Sequence, residues 1–275
     1  MTAVLSYVKR NSVIHNLTGT TKLFFFIMWS IAAMITYDTR MLVGMFLIGC
    51  ILLVISTLKW KEISFALTFM YILMGINLLG IYIFAPEQGV VIYGSRSLVA
   101  ELFWHYSITL EQLFYMFNYL MKYIAVIPVA LLFIMTTNPS EFAASLNQIG
   151  ISYRISYGVA IALRYIPDIQ RDYREISQAA QARGVELGRE VKTIQRLKNS
   201  AGILFPLVIS SIQRIDTIAN AIELRGFGKH KKRTWIMKKE WKKADFLAMI
   251  MAVCVFATSI YLILYNEGRF YNPFS

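Results

Sequence analysis

Cysteine, histidine and charge are all scarce in this sequence. Among 275 residues there are 2 cysteines and 3 histidines, and only 16% of the chain is charged. Cys50 and Cys254 both fall in apolar runs. They lack the spacing of a disulfide framework or a zinc site and read as small hydrophobes. His15, His105 and His230 are scattered and form no metal-ligand pattern; His15 reads as an interfacial or capping residue. No Gly-x-x-x-x-Gly-Lys-Ser/Thr segment is present to cradle the phosphates of a nucleotide. The apolar runs lack paired acidic motifs, which weighs against a polytopic membrane enzyme. The expectation is therefore no catalytic residues, no metal and no cofactor.

What the chain has instead is apolar surface. At 57% hydrophobic it carries more than one soluble domain of this length can hide, and a bilayer is the simplest solvent for the excess. Five apolar runs stand out: Leu23 to Tyr37, Met41 to Leu58, Ile63 to Ala85, Leu113 to Met135 and Phe246 to Tyr265. Each approaches the roughly 20 residues a spanning helix needs. Only Asp38, Thr39 and Arg40 separate the first two, which read as a tight membrane hairpin. The fold class predicted is all-α and polytopic, with about five transmembrane helices and a range of four to six. A polar stretch of about 20 residues before the first run, with no small-residue cleavage site after it, predicts that this run is retained rather than removed as a signal peptide.

The net charge of +12 must lie mostly outside the hydrocarbon, because a Lys or Arg at the centre of a span costs about 2.5–3.5 kcal/mol. From Asn138 to Lys243 there are 19 Lys plus Arg against 9 Asp plus Glu. The connection from Pro86 to Gln112 holds Arg96 against Glu87, Glu101 and Glu111. The first stretch is predicted to be cytoplasmic, and Lys9, Arg10, Lys22, Lys59 and Lys61 agree. Five spans then leave the N-terminus inside and the C-terminus outside. Trp60, Trp235 and Trp241 suit an interfacial aromatic belt. The basic tract Lys229 to Arg233, beside a span, points to anionic lipid headgroups rather than nucleic acid. The domains expected are a membrane region over 1–135, coupling helices over 136–244, and a last transmembrane helix with its tail over 245–275.

Between about Pro139 and Gly228 the pattern is helical yet too charged to span. Asp168 to Arg183 follows Pro167, is rich in helix formers and ends on Arg183-Gly184. Glycine there supplies a left-handed stop, and an arginine in the last turn suits the negative end of the helix dipole. The segment from Pro206 closes the same way on Arg225-Gly226, 42 residues later. Aligning the pairs matches Ile176 with Ile218 and Ala179 with Ala221. Two readings of this repeat stand: a pair of ordinary helix caps, or two helix ends presenting arginine forks to grooves on a two-lobed partner.

With these residues in view, nearly the whole chain resembles the transmembrane T component of energy-coupling-factor transporters, the EcfT/CbiQ family. Ser12-Val-Ile-His15-Asn-Leu17 leading to Lys22-Leu23 looks like the family's opening, although Thr18 and Gly19 stand where Asp-Pro is usual. Thr137-Asn-Pro139 with Phe142 and Leu146 is similar to its Thr-x-Pro segment, and Ala162-Leu-Arg164-Tyr-Ile-Pro167 to its Ala-Leu-Arg-Phe-Ile-Pro segment. Gln181-Ala182-Arg183-Gly184 and Glu223-Leu224-Arg225-Gly226 follow in order; Leu224 departs from the usual Ala or Ser. The resemblance implies a scaffold joining two ATP-binding-cassette ATPases to a small membrane subunit that captures a vitamin, other micronutrient or metal ion. It also implies that Ala182, Arg183, Gly184, Leu224, Arg225 and Gly226 are the ATPase-coupling residues.

A conventional permease forming its own substrate pathway is the alternative, and the scarcity of polar residues at membrane depth disfavours it. Lys122, inside the fourth run, marks either a pathway or buried ion pair, or else a snorkelling residue or a span that begins later. Pro128, Pro167 and Pro206 are expected to kink or begin helices.

Overall fold

The computed structural model describes residues 10, 12–101, 107–188, 192–227, 229, 234–235 and 239–274; His105, His230 and most of the basic tract after Lys229 lie outside them. The described chain is helical throughout apart from one small hairpin. In order it forms α1 (Val13–Asn16), α2 (Gly19–Ile35), α3 (Thr39–Ile55), α4 (Trp60–Phe84), α5 (Gln88–Tyr93), β1 (Leu98–Glu101), β2 (Ser107–Thr109), α6 (Leu110–Thr136), α7 (Pro139–Gln148), α8 (Tyr153–Ala182), α9 (Thr193–Leu224) and α10 (Lys243–Tyr265). Two units are distinct: one runs up to Glu141 and resumes at Lys239, and the other runs from Phe142 to Lys238.

Each expected apolar run is a helix of the first unit: α2, α3, α4, α6 and α10 cover the five. Three of them, α2, α3 and α6, start on a polar side-chain cap outside the apolar window. The Thr18 hydroxyl accepts from the Thr21 amide at the start of α2, and the Thr109 hydroxyl accepts from the Gln112 amide at the start of α6. The all-α polytopic expectation holds, with the antiparallel β1–β2 pair as a local addition in the connection between α4 and α6. There the Glu111 carboxylate, fully buried at the start of α6, accepts from the Ser97 amide at 2.9 Å and the Ser95 hydroxyl at 2.9 Å.

The core of this unit is made where small residues let helices approach. Ala32 and Ala33 on α2, Ala125 on α6 and Ala252 on α10 are wholly buried. A Cβ added at Gly49 of α3 would stand 3.0 Å from Pro128 of α6. Trp29 is buried among them and donates its indole N–H to the Ala125 carbonyl at 2.9 Å, so its polar edge has a partner inside the packed unit.

Two lysines tie α2 and α6 together. Lys22, in the first turn of α2, donates to the carbonyl of Thr136, the last residue of α6, at 2.8 Å. Lys122 donates at 2.6 Å to the Met34 carbonyl in the last turn of α2, and its ammonium lies 3.4 Å from the Tyr37 ring centroid. Lys122 is 5% exposed and does not snorkel, and α6 begins well before it. It is buried as expected, but its ammonium is held by a carbonyl and a ring instead of a carboxylate.

Two further expectations need correction. Pro167 and Pro206 lie inside α8 and α9 instead of starting them. Both are at exposed positions, and each leaves the carbonyl four residues before it without its helical donor. The second correction concerns α9. Among the described residues, four helices are long and apolar enough to cross a membrane: α4 over its Ile63–Phe84 portion, α6, α9 and α10. The region between Pro139 and Gly228 is thus not uniformly too charged to span, because the charges of α9 cluster towards its two ends and leave 199–213 uncharged. By the same measure α2 and α3, at 17 residues each, are shorter apolar helices. Trp235 also packs within the second unit: its ring lies 5.4 Å from that of Tyr153 and its N–H donates to Asn147.

The C-terminal tail folds back on the α2–α3 turn. The Tyr37 amide donates to the Arg269 carbonyl at 2.8 Å, and the Tyr37 and Phe270 rings stack at 4.4 Å. Asp38, 1% exposed, caps α3 and accepts from the Arg40 amide and guanidinium and from Asn266 of the tail, the last at 2.9 Å. Burial pushes the Asp38 carboxyl up, but these donors outweigh it and hold it below the usual carboxylate range. Its stabilising contribution is therefore complete above the unfolded carboxylate pKa and is lost as pH falls through the lowered folded value. Asp38→Asn is expected to cost about 1–3 kcal/mol at neutral pH and to flatten the acid limb of the stability curve. Thermal unfolding of the purified protein in detergent from pH 7 to pH 3 checks both.

Candidate functional site

The arginine–glycine ends of α8 and α9 have the same backbone. Arg183 is the last residue of its helix boundary at φ −92°, ψ 11°, and Arg225 at φ −80°, ψ 8°. Gly184 follows at φ 86° and Gly226 at φ 68°, the left-handed region that a Cβ disfavours. The Gly184 amide then donates to Gln181 at 3.0 Å and the Val185 amide to Ala180 at 3.1 Å. At the second end the Gly226 amide donates to Glu223 at 2.8 Å and the Phe227 amide to Ile222 at 3.2 Å. Both are Schellman closures, with the paired 6→1 and 5→2 bonds that satisfy the last carbonyls of a helix. Backbone hydrogen bonding is thereby completed without the arginine side chains. Ala182, Arg183, Gly184, Leu224 and Arg225 are exposed, Leu224 to 89%, while Gly226 is half-buried.

The two helices run antiparallel against each other. Arg214 on α9 pairs with Asp172 on α8 at 2.5 Å. Nearer the end of α9, the Phe227 ring lies 4.8 Å from Tyr157, close to the start of α8. A step forward on α8 is thus met by a step back on α9, and the Arg225 end lies beside the beginning of α8. Arg183 closes the far end of that helix. At 1.5 Å per residue, the 26 residues from Tyr157 to Arg183 place the two ends roughly 40 Å apart along the helix axis. Sequence alone matches the two ends but does not place them, since their separation depends on how the helices pair.

Arg225 also borders a cavity of about 460 Å³ between the two helices, which Arg164, Tyr157, Tyr165, Ile222 and Phe227 help to line. Arg164 belongs to the Ala-Leu-Arg-Tyr-Ile-Pro segment, so two separate sequence motifs meet in one cationic, aromatic-walled hollow. Asp168 and Arg171 are 4.0 Å apart on the exposed face of α8. Among the described residues no group of three or more His, Cys, Asp or Glu is placed to hold a metal ion.

A protein-family model described as CbiQ, cobalt transport protein, matches residues 10–236. The chain belongs to the CbiQ family. The match takes in both Schellman ends and all but the last membrane helix. Relatives are the energy-coupling factor transporter transmembrane proteins EcfT of Lactococcus lactis subsp. cremoris and Streptococcus equi subsp. equi. The first is 26% identical over 95% of this chain and 96% of the relative. The second is 28% identical over 90% and 91%. The EcfT of Clostridium kluyveri is 33% identical over 46% of this chain.

The geometry separates what holds the ends in shape from what they offer. A Cβ at position 184 meets no atom within 4 Å, so Gly184→Ala carries only the left-handed backbone penalty, about 1 kcal/mol. Arg183→Glu is expected to change stability by less than about 0.5 kcal/mol. Denaturation of both variants side by side in detergent tests this, and a large loss for Arg183→Glu means that its side chain supports the fold.

Proposed function

We propose that this chain is the transmembrane scaffold of an ATP-driven importer of the energy-coupling-factor type. Two ATP-binding-cassette subunits dock on its coupling helices, and a separate small membrane subunit captures a vitamin, other micronutrient or metal ion. The observation that carries the reading is the pair of matched Arg-Gly ends at opposite ends of one antiparallel helix pair in a CbiQ-family membrane protein. Arg183 and Arg225 anchor the two ATPases, each guanidinium offering a planar fork to carboxylates or backbone carbonyls in a groove. Gly184 and Gly226 let the chain turn away beneath them, with Ala182 and Leu224 as the flanking contacts. A separation of roughly 40 Å suits two grooves on two subunits better than two contacts with one.

The coupling helices, within 136–244, lie on the cytoplasmic side, as does the N-terminus; the basic surplus of that stretch supports this sidedness. The membrane region over 1–135 and the last helix over 245–275 hold the chain in the bilayer. Without a phosphate-binding loop of its own, the chain is a subunit and not an enzyme, and hydrolysis belongs to its partners. The exposed apolar face of α9, with Leu204, Phe205, Val208 and Ile212, supplies surface for the capturing subunit or for lipid.

Two measurements test the proposal. A tagged chain, co-expressed with its genomic neighbours and purified in mild detergent, is expected to retain two ATPase subunits and one small hydrophobic protein. Arg183→Glu with Arg225→Glu is expected to insert normally yet lose ATPase retention about tenfold or more, since reversing a docked charge leaves the partner group unpaired. Full ATPase retention by the double variant overturns the anchoring role. Substrate binding and transport by the chain with an ATPase but no third subunit would support the permease alternative.

A further inference from the structure

The coupling unit leaves the rest of the chain after Glu141 and rejoins it at Lys239. These two residues hold each other, with the Lys239 ammonium 2.5 Å from a Glu141 carboxylate oxygen. The Glu141 side chain is 7% exposed and that of Lys239 is 40% exposed. The Lys239 ammonium also donates to the His15 carbonyl at 3.0 Å. That carbonyl accepts from Lys22 at 3.2 Å, and Lys22 in turn holds the Thr136 carbonyl just ahead of the departing passage. Beyond Lys239, the Asp245 carboxylate accepts from the Lys242 amide, and from the amide and hydroxyl of Thr18, at 2.8–3.0 Å. A Cβ on Gly19 would stand 2.9 Å from the Glu141 carbonyl oxygen, so the start of α2 abuts the departing backbone directly. Both passages are therefore fastened to residues 15–22 and to each other.

An ion pair with one exposed partner adds little to stability, but breaking this one leaves a carboxylate buried at the point where the chain crosses between units. The arrangement fixes a distance more than it supplies energy. We propose that Glu141 and Lys239, seated on the His15 carbonyl, form a clasp that holds the two passages at one spacing. Movement of residues 142–238 then reaches the membrane unit through a single pivot. Glu141 and Lys239 are positioning residues for coupling; they need touch neither ATPase nor transported substrate. The role in coupling rests on the scaffold function proposed above, whereas the clasp itself is a property of this chain.

Spin labels test it without knowledge of the substrate. In a background carrying Cys50→Ala and Cys254→Ala, single cysteines at Phe84 and Ile194, both exposed, report one distance between the units by pulsed electron resonance. In the purified chain, Glu141→Lys is expected to broaden that distance distribution about twofold or more, and Lys239→Arg, which keeps both the ion pair and a donor for the His15 carbonyl, to leave it narrow. Thermal unfolding of the same samples identifies any variant that has merely lost its fold; Glu141→Gln then replaces Glu141→Lys. In the complex with its ATPases, the unmodified clasp is expected to give one distance without nucleotide and another with ATP and vanadate, and Glu141→Lys to blur the two. An unchanged distribution in folded Glu141→Lys overturns the clasp, as does a distribution in folded Lys239→Arg as broad as that of Glu141→Lys. If the ATPases do not bind the unmodified chain, the scaffold reading fails, and the widths in the isolated chain still decide the clasp.

Discussion

Two ammonium groups hold α2 and α6 end to end against each other, and the membrane unit is arranged around that pair. A helix leaves its last carbonyls without amide partners, and in hydrocarbon no water replaces them. Here each helix supplies the missing donor to the other: Lys22 of α2 reaches Thr136, and Lys122 of α6 reaches Met34. The exchange works only if the helices are antiparallel and aligned so that each lysine lies opposite the other helix's end. The lysines therefore fix register as well as satisfy charge. With that register set, Trp29 meets the Ala125 carbonyl. Gly49 meets Pro128, and the small residues of α10 meet those of α2. Lys22 also shares the His15 carbonyl with Lys239, so the same contact extends to both exits of the coupling unit.

The coupling unit meets the same requirement by different means. Its helix ends close on themselves through Gly184 and Gly226, and every donor needed comes from the backbone. A lysine cap, as in the membrane unit, uses the side chain up. A Schellman closure leaves the cap side chain unused, which is why a residue as costly to immobilise as arginine can remain exposed at each end. The exposure that makes Arg183 and Arg225 candidates for docking follows from how the backbone is satisfied.

Much of this was legible in the sequence because it depends on local pattern. The five apolar runs became helices with ends displaced by a few residues, and at α2 and α6 the start is set by a capping hydroxyl, Thr18 or Thr109. The Arg-Gly closures were legible for the same reason, since left-handed glycine and the preceding turn lie within six residues. What was missed depends on distant partners or on averaging. Proline is a local signal for a boundary, yet Pro167 and Pro206 sit inside long helices at exposed positions. The charge of α9 is spread over its ends, so a regional count hid an apolar middle. Nothing local to Lys122 announces Met34 and Tyr37, 88 and 85 positions away. The return of Phe270 to Tyr37 and the meeting of Glu141 with Lys239 are likewise products of topology. The separation of the two candidate docking ends was hidden too, because it follows from the antiparallel register marked by Asp172 and Arg214.

That register decides what the coupling unit can transmit. A scaffold with no nucleotide site of its own changes state only as far as its partners bind one state better than another. If each ATPase holds one end of a helix pair, nucleotide-driven closure changes the spacing or direction demanded of the two anchors. Helices do not stretch, and α8 and α9 are joined by packing and by the Asp172–Arg214 pair, so the demand is met by turning the pair as a body. A body attached by two independent flexible passages dissipates that turn in its linkers. Under the proposed clasp the two passages are held together, and the turn is handed on at one place instead of two. The usefulness of the docking ends thus depends on how the chain enters and leaves the same unit.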